Sequence, residues 1–211
     1  MWGLVESGSI TKIINNPKAM VIGDVRHSGN IFSSRWTNAE REAIGIYEVE
    51  FDNSNKKDEE WYINTNQSFA FAGGKITASY GSATAKAHAD TLWTQQDSDD
   101  GLLPSDKSVG DVKVEGLKTI KIRAVKSQAA TILAETDWYI VRKADASTAV
   151  PSAITNHRAA VRTKCAEMET AITNASNTPA IETLYTYVNT ADEGDPVVME
   201  RPLGELPRLE S

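Results

Sequence analysis

The sequence predicts an α+β protein: a small antiparallel β-rich N-terminal domain, then a helical hairpin or three-helix unit, then an extended acidic tail. Three observations carry this. Residues 1–94 alternate short apolar runs with glycine-bearing turns. Residues 117–191 place apolar side chains at helical spacing. From Asp192 onward the chain is rich in Pro and Glu and is expected to lack regular structure. The polar segment 95–116, with Pro104 and its Asp and Gly residues, reads as the linker between the two halves.

In the N-terminal part, Leu4-Val5 and Ile10–Ile14 flank a Ser-Gly turn and predict a hairpin. Asn15-Asn16-Pro17 ends it, and Ala19–Ile22 starts another short strand. Thr37 and Glu40 have the spacing of a capping box, with Trp36 placed to pack on the first helical turn. Gly45 closes that short helix and Ile46–Phe51 follows as a strand. Trp61–Phe71 and Lys75–Tyr80 are strands around the two-glycine turn Gly73-Gly74. Phe69 and Phe71 share a face, with Ile63 in the same phase. Thr84–Trp93 is ambiguous between helix and extended chain.

In the C-terminal part, Leu117, Ile120, Ala124, Val125, Ala129, Ile132 and Leu133 form the stripe of a helix ending near Glu135. Trp138 is expected to end this helical stretch and to fold back over the seam between two helices. Ser152–Asn174 predicts a second helix with Ile154, Val161, Cys165, Met168 and Ile172 inside. Thr178-Pro179 opens a third, with Leu184, Tyr185 and Val188 on its apolar side.

A formal charge of −7 argues against general binding to nucleic acid or anionic membranes. The charge is uneven: residues 117–164 hold nine Lys/Arg and three Asp/Glu, whereas 192–211 hold two Arg and six Asp/Glu. One cysteine, Cys165, rules out an internal disulfide and a cysteine metal site, and its place on an apolar stripe makes it a small core residue. No apolar run approaches the ~20 residues of a membrane span, and the N-terminus lacks a signal-peptide pattern. A protein made in the cytoplasm, without membrane insertion, is expected.

The sequence predicts no catalytic constellation, no metal site and no cofactor. His27, His88 and His157 have no ligand partners at metal spacing and read as surface residues. Asp97-Ser-Asp-Asp-Gly101 places its glycine at position five of the loop, with Ser108 at twelve, unlike a calcium loop. Gly73-Gly74-Lys75 lacks the rest of a phosphate loop. A non-enzymatic interaction protein is expected. Arg158, Arg162 and Lys164 are read as one basic helix face, and with Trp138 and Arg142 they are the candidate partner-binding residues.

Leu133-Ala-Glu-Thr136-Asp137-Trp138, then Pro151, then His157-Arg158 and Val161-Arg162, resembles the helix–loop–helix of bacteriophage tail-fibre assembly chaperones over about residues 120–172. Tyr139-Ile-Val-Arg142 stands where that family usually has Leu-Pro-Asp, and His157 where it has tyrosine. Asn16-Pro17, Asn30-Ile-Phe32 and Trp36-Thr-x-Ala39-Glu40 through Ala43-Ile-Gly-Ile-Tyr47 are similar to proteins encoded among tail genes of cyanophages and other marine phages. The resemblance implies a virion tail protein associated with fibre or baseplate, with phage tail-fibre or baseplate proteins as partners and several symmetric copies. The alternatives are a transient fibre-assembly chaperone and, less favoured, a carbohydrate-binding or carbohydrate-acting tail protein. The helices 117–135 and 152–174 are the expected partner-binding unit, and 192–211 is expected to wrap a neighbouring subunit.

Overall fold

The computed structural model describes residues 1–209. The last two residues of the expected tail, 210 and 211, lie outside the described residues. The chain forms two compact units, Met1–Thr84 and Ala85–Ser211.

The N-terminal unit is β-rich. Strands β1 (Trp2–Glu6) and β2 (Ser9–Ile14) form the expected hairpin. Its turn, Ser7-Gly8, has φ of 52° and 78°, the left-handed pair that suits a two-residue hairpin. A smaller hairpin joins β3 (Met20–Ile22) to β4 (Val25–His27). Helix α1 (Asn38–Glu42) begins with the capping box: the Glu40 N–H donates to Thr37 Oγ1 (3.3 Å) and the Thr37 N–H to Glu40 Oε2 (2.7 Å). Those bonds to the ionised form hold the Glu40 carboxyl below its ordinary pKa. Gly45, at φ 82°, turns the chain into β5 (Ile46–Asp52), and its backbone approaches the Val5 carbonyl too closely for a Cβ.

After β6 (Tyr62–Ile63) come β7 (Ser68–Ala72) and β8 (Lys75–Ser79), joined at Gly73-Gly74 with φ of 59° and 76°. The five-stranded order is β2-β1-β5-β8-β7. Its ladders are antiparallel except β5–β8, which is parallel with Val49 opposite Ile76. A wholly antiparallel domain was expected. The β7–β8 hairpin enters beside β5 through its second strand, and that strand runs in the β5 direction. Val5, Val49, Ile76 and Ala78 form one core cluster with Ile10, Tyr47, Phe69 and Phe71. Leu4, Ile14 and Ile46 form another with Trp2, Met20, Ile22 and Phe32. Ile10 and the two Phe rings come from opposite edges of the sheet, so the sheet curls inward. Ile63, expected in phase with the phenylalanines, is exposed because residues 64–67 interrupt the strand.

Buried Arg41 ties this unit's turns together. Its guanidinium donates to Ile31 O (2.8 Å), Asn38 Oδ1 (2.9 Å) and Ser33 O (2.5 Å), and lies 4.7 Å from the Trp2 ring centroid. With three oxygen acceptors converging on it, the buried charge is compensated.

The chain crosses from one unit to the next at β9 (Thr84–Ala85). The following segment is extended: β10 (Thr91–Leu92) pairs antiparallel with β11 (Val112–Val114). Between them α2 (Gln95–Asp99) is capped by a second box, Thr94 with Asp97. Residues 95–116, expected as a bare linker, thus carry a helical turn and a strand. Asp97, the first residue of the rejected calcium loop, accepts from Lys113 Nζ (2.5 Å) and from the Thr94 N–H (2.9 Å). These partners pull its pKa down to about 2.

Helices α3 (Leu117–Ala134), α4 (Asp137–Ala146), α5 (Ser152–Asn174) and α6 (Thr178–Tyr185) follow. Three of them stand where the sequence places helices, and α4 is additional; the third ends at Tyr185, so Val188, expected on its apolar side, lies instead in an exposed strand. The apolar faces of α3 and α5 pack together through Val125, Ala129, Val161, Cys165, Met168 and Ile172. Burial there pushes the Cys165 thiol pKa up. Leu203 and Leu206 complete this core.

That last contact changes the reading of the tail. Met199–Glu200 (β13) pairs with Val188–Asn189 (β12), and the Leu203 N–H donates to Leu184 O (3.0 Å). The segment beyond Asp192 therefore folds partly onto its own chain. Two leucines flanked by Pro202 and Pro207 supply apolar burial while the prolines limit the entropy lost on ordering. No helix among the described residues is long and apolar enough to cross a membrane.

Candidate docking surface

The Leu133–Trp138 segment is a helix break held by one arginine. At the end of α3 the Leu133 carbonyl accepts from the Thr136 N–H and the Thr136 hydroxyl, each at 3.1 Å. Arg158, nearly two turns into α5, donates through Nη1 to Leu133 O (2.6 Å) and Thr136 Oγ1 (2.7 Å). Its Nη2 pairs with Asp137 Oδ1 at 2.8 Å. A cation at the carbonyl end of α3 and a carboxylate in the first turn of α4 both have the favourable sign for the helix dipoles. Thr136 and Arg158 are buried, at 3% and 7% exposure.

This overturns one expected role. Arg158 does not offer its charge to a partner; its guanidinium is spent inside the molecule on three oxygens. Helical geometry also separates the expected basic face, since Lys164 lies six residues from Arg158 and points to a different side. Arg162 is exposed, with a 3.4 Å bond back to the Arg158 carbonyl. Lys164 pairs with Glu167 (3.6 Å) and packs beside Gly204, so it supports the tail turn. His157, read as a surface residue, is half-buried, and its Nε2 has no hydrogen-bond partner among the described residues.

Trp138 is the second correction. It was expected to end the helical stretch and cover the seam; instead it is the second residue of α4 and is 51% exposed. Thr-Asp breaks one helix but also starts the next, because Asp is favoured in a first turn. Buried Thr136 takes the place at the seam. Trp138 packs on Tyr139 with ring centroids 3.8 Å apart. Arg142, one turn on, lies 4.7 Å from the Trp138 ring and 5.3 Å from the Tyr139 ring. Arg142 makes no ion pair or hydrogen bond with a described residue, and its Nε is covered.

No residue of α4 is buried. Ile140 and Val141 are exposed, Val141 by 65%, and Ser147 ends the helix in the left-handed region at φ 53°. The helix therefore presents an aromatic–arginine stack and two β-branched residues to solvent. Trp, Tyr and Arg are the side chains that dominate binding energy at protein interfaces. The sequence signal for this was Trp138-Tyr-Ile-Val141, four successive large apolar residues that no single helix face can bury.

Among the described residues, no group of three His, Cys, Asp or Glu side chains is placed to hold a metal ion. Comparison of the chain with protein-family models, with curated proteins and with solved structures returned no match.

Proposed function

We propose that this chain is a bacteriophage tail structural protein associated with the tail fibre or baseplate, and that it binds its partner subunit through α4. The observation that carries the docking role is the exposed Trp138 ring, stacked on half-buried Tyr139 and Arg142 with exposed Val141 beside it, on a helix that buries none of its own residues. The phage assignment rests on the sequence likeness around Leu133–Trp138 and Trp36–Tyr47. The partner surface that fits is an apolar pocket for the Trp138 ring with carboxylates at its rim, facing Arg142, Lys143 and Arg162.

The rigid α3–α4 break supports this reading, because a preorganised helix loses little entropy on docking. Mass spectrometry of purified phage particles tests the placement, and co-purification with fibre and baseplate proteins tests the contact. The expected result is presence in the particle and loss of co-purification on Trp138→Ala with Val141→Asp. A chain that binds fibre protein in the infected cell yet is missing from particles would be the transient chaperone instead.

A further inference from the structure

A second surface lies in the N-terminal unit, and it is cationic although the chain as a whole is acidic. A cleft of about 630 Å³ runs between β2 and the β3–β4 hairpin. Lys12, Lys18 and Arg26 line it, together with Ile13, Met20 and Val21, and no carboxylate does. None of the three cations makes an ion pair with a described residue. One wall is β2, which hydrogen-bonds to β1 and whose other edge curls towards β7.

The C-terminal unit carries a segment of complementary chemistry. The arm formed by β12 and β13 projects a turn, residues 191–197, with Asp192, Glu193 and Asp195 at its tip and Gly194 at φ 96°. Those carboxylates also lack ion pairs with described residues. Val197, Val198 and Met199 follow directly and are exposed, Val197 by 71%. Acidic residues then apolar residues is the order that a cleft with cations and an apolar wall would take.

We propose that the arm of one copy lies in the β2 cleft of a second copy, so that the chain self-associates head to tail. Asp192, Glu193 and Asp195 meet Lys12, Lys18 and Arg26, and the Val197–Met199 side chains meet Ile13, Met20 and Val21. At a net charge of −7 two copies repel on average, so the association depends on this local cationic patch. Such an interface joins unlike surfaces and builds a ring or an open chain of subunits.

Light scattering of the full chain against concentration tests this, with circular dichroism to confirm that each variant is folded. Mass should rise above the 23.0 kDa monomer with concentration and fall back in high salt. Reversing the cleft (K12E/K18E/R26E) or the arm (D192K/E193K/D195K) should each weaken association about tenfold or more. An equimolar mixture of the two reversed variants should associate again, because each arm then finds an oppositely charged cleft. A monomer at every concentration, association untouched by both reversals, or no recovery in the mixture would each overturn the proposal.

Discussion

Removing the Arg158 guanidinium tests the organisation of the helical unit most directly. Arg158→Ala deletes two hydrogen bonds to buried acceptors and the Asp137 pair. The ion pair itself contributes little, since the Asp137 side chain is 58% exposed and solvent screens it. Leu133 O keeps its Thr136 donors, and Thr136 Oγ1, though it loses the donor it accepts from, still donates to Leu133 O. Each lost charge-assisted bond then costs about 1.5 kcal/mol, the low end for such bonds. Loss of the buried stem adds about 1–2 kcal/mol, at ~0.8 kcal/mol per methylene. The sum is about 4–5 kcal/mol, or roughly 15 °C in the melting of a unit this size. Urea and thermal unfolding followed by circular dichroism measure it. Arg158→Lys should recover only part, because an ammonium cannot span all three oxygens in one plane. Arg162→Ala, on the same helix but exposed, should stay within about 0.5 kcal/mol. Equal, small effects from Arg158→Ala and Arg162→Ala would refute the claim that this guanidinium holds the α3–α4 break.

Further outcomes follow from the other contacts. Leu203→Ala should destabilise by about 3 kcal/mol in denaturant melts, because the side chain is 2% exposed in the α3–α5 core, whereas exposed Leu209→Ala should change little. Trp138→Ala should leave stability within about 0.5 kcal/mol while abolishing co-purification with a fibre partner; a large stability loss would mean that the ring packs inward. Asp97 contributes stability that is present above its ordinary pKa and lost as pH falls through its folded value of about 2. Asp97→Asn should therefore flatten acid unfolding between about pH 4 and 2, as read by fluorescence titration. Gly116→Ala should destabilise by about 2 kcal/mol in the same melts, since its Cβ would collide with the Ala89 carbonyl.

Local signals were the readable part of the sequence. The Thr37–Glu40 box, the Gly73-Gly74 turn and the apolar stripe of α5 each depend on residues within a few positions, and each forms as expected. The α3 stripe forms in part: Leu117, Val125, Ala129, Ile132 and Leu133 face inward, whereas Ile120 and Ala124 are exposed and Ile122 packs on the core in their place. What escaped depends on distant partners. Nothing near Arg158 signals that Leu133 O, Thr136 Oγ1 and Asp137 will converge on it from another helix. Thr136-Asp137 reads equally as a stop and as a start, so Trp138 was placed at the seam rather than on a new helix. Leu203 and Leu206 are two apolar residues in a charged, proline-rich stretch, too few to announce a core contact. The parallel β5–β8 ladder joins strands whose pairing no turn signal specifies.

That ladder also sets an order for folding. β1 can pair with β2 at once, but its other neighbour, β5, ends at Asp52, and β5 meets β8 only after Ser79. At about 5–20 residues per second on a ribosome, roughly 1–5 s separate the emergence of β5 from that of β8. During that interval Val49 lacks Ile76, and the central strand presents an open, partly apolar edge. The helical unit has shorter loops between α3 and α5 and should close sooner once made. The N-terminal half, although synthesised first, is therefore the stretch most exposed to wrong pairing with a neighbouring nascent chain.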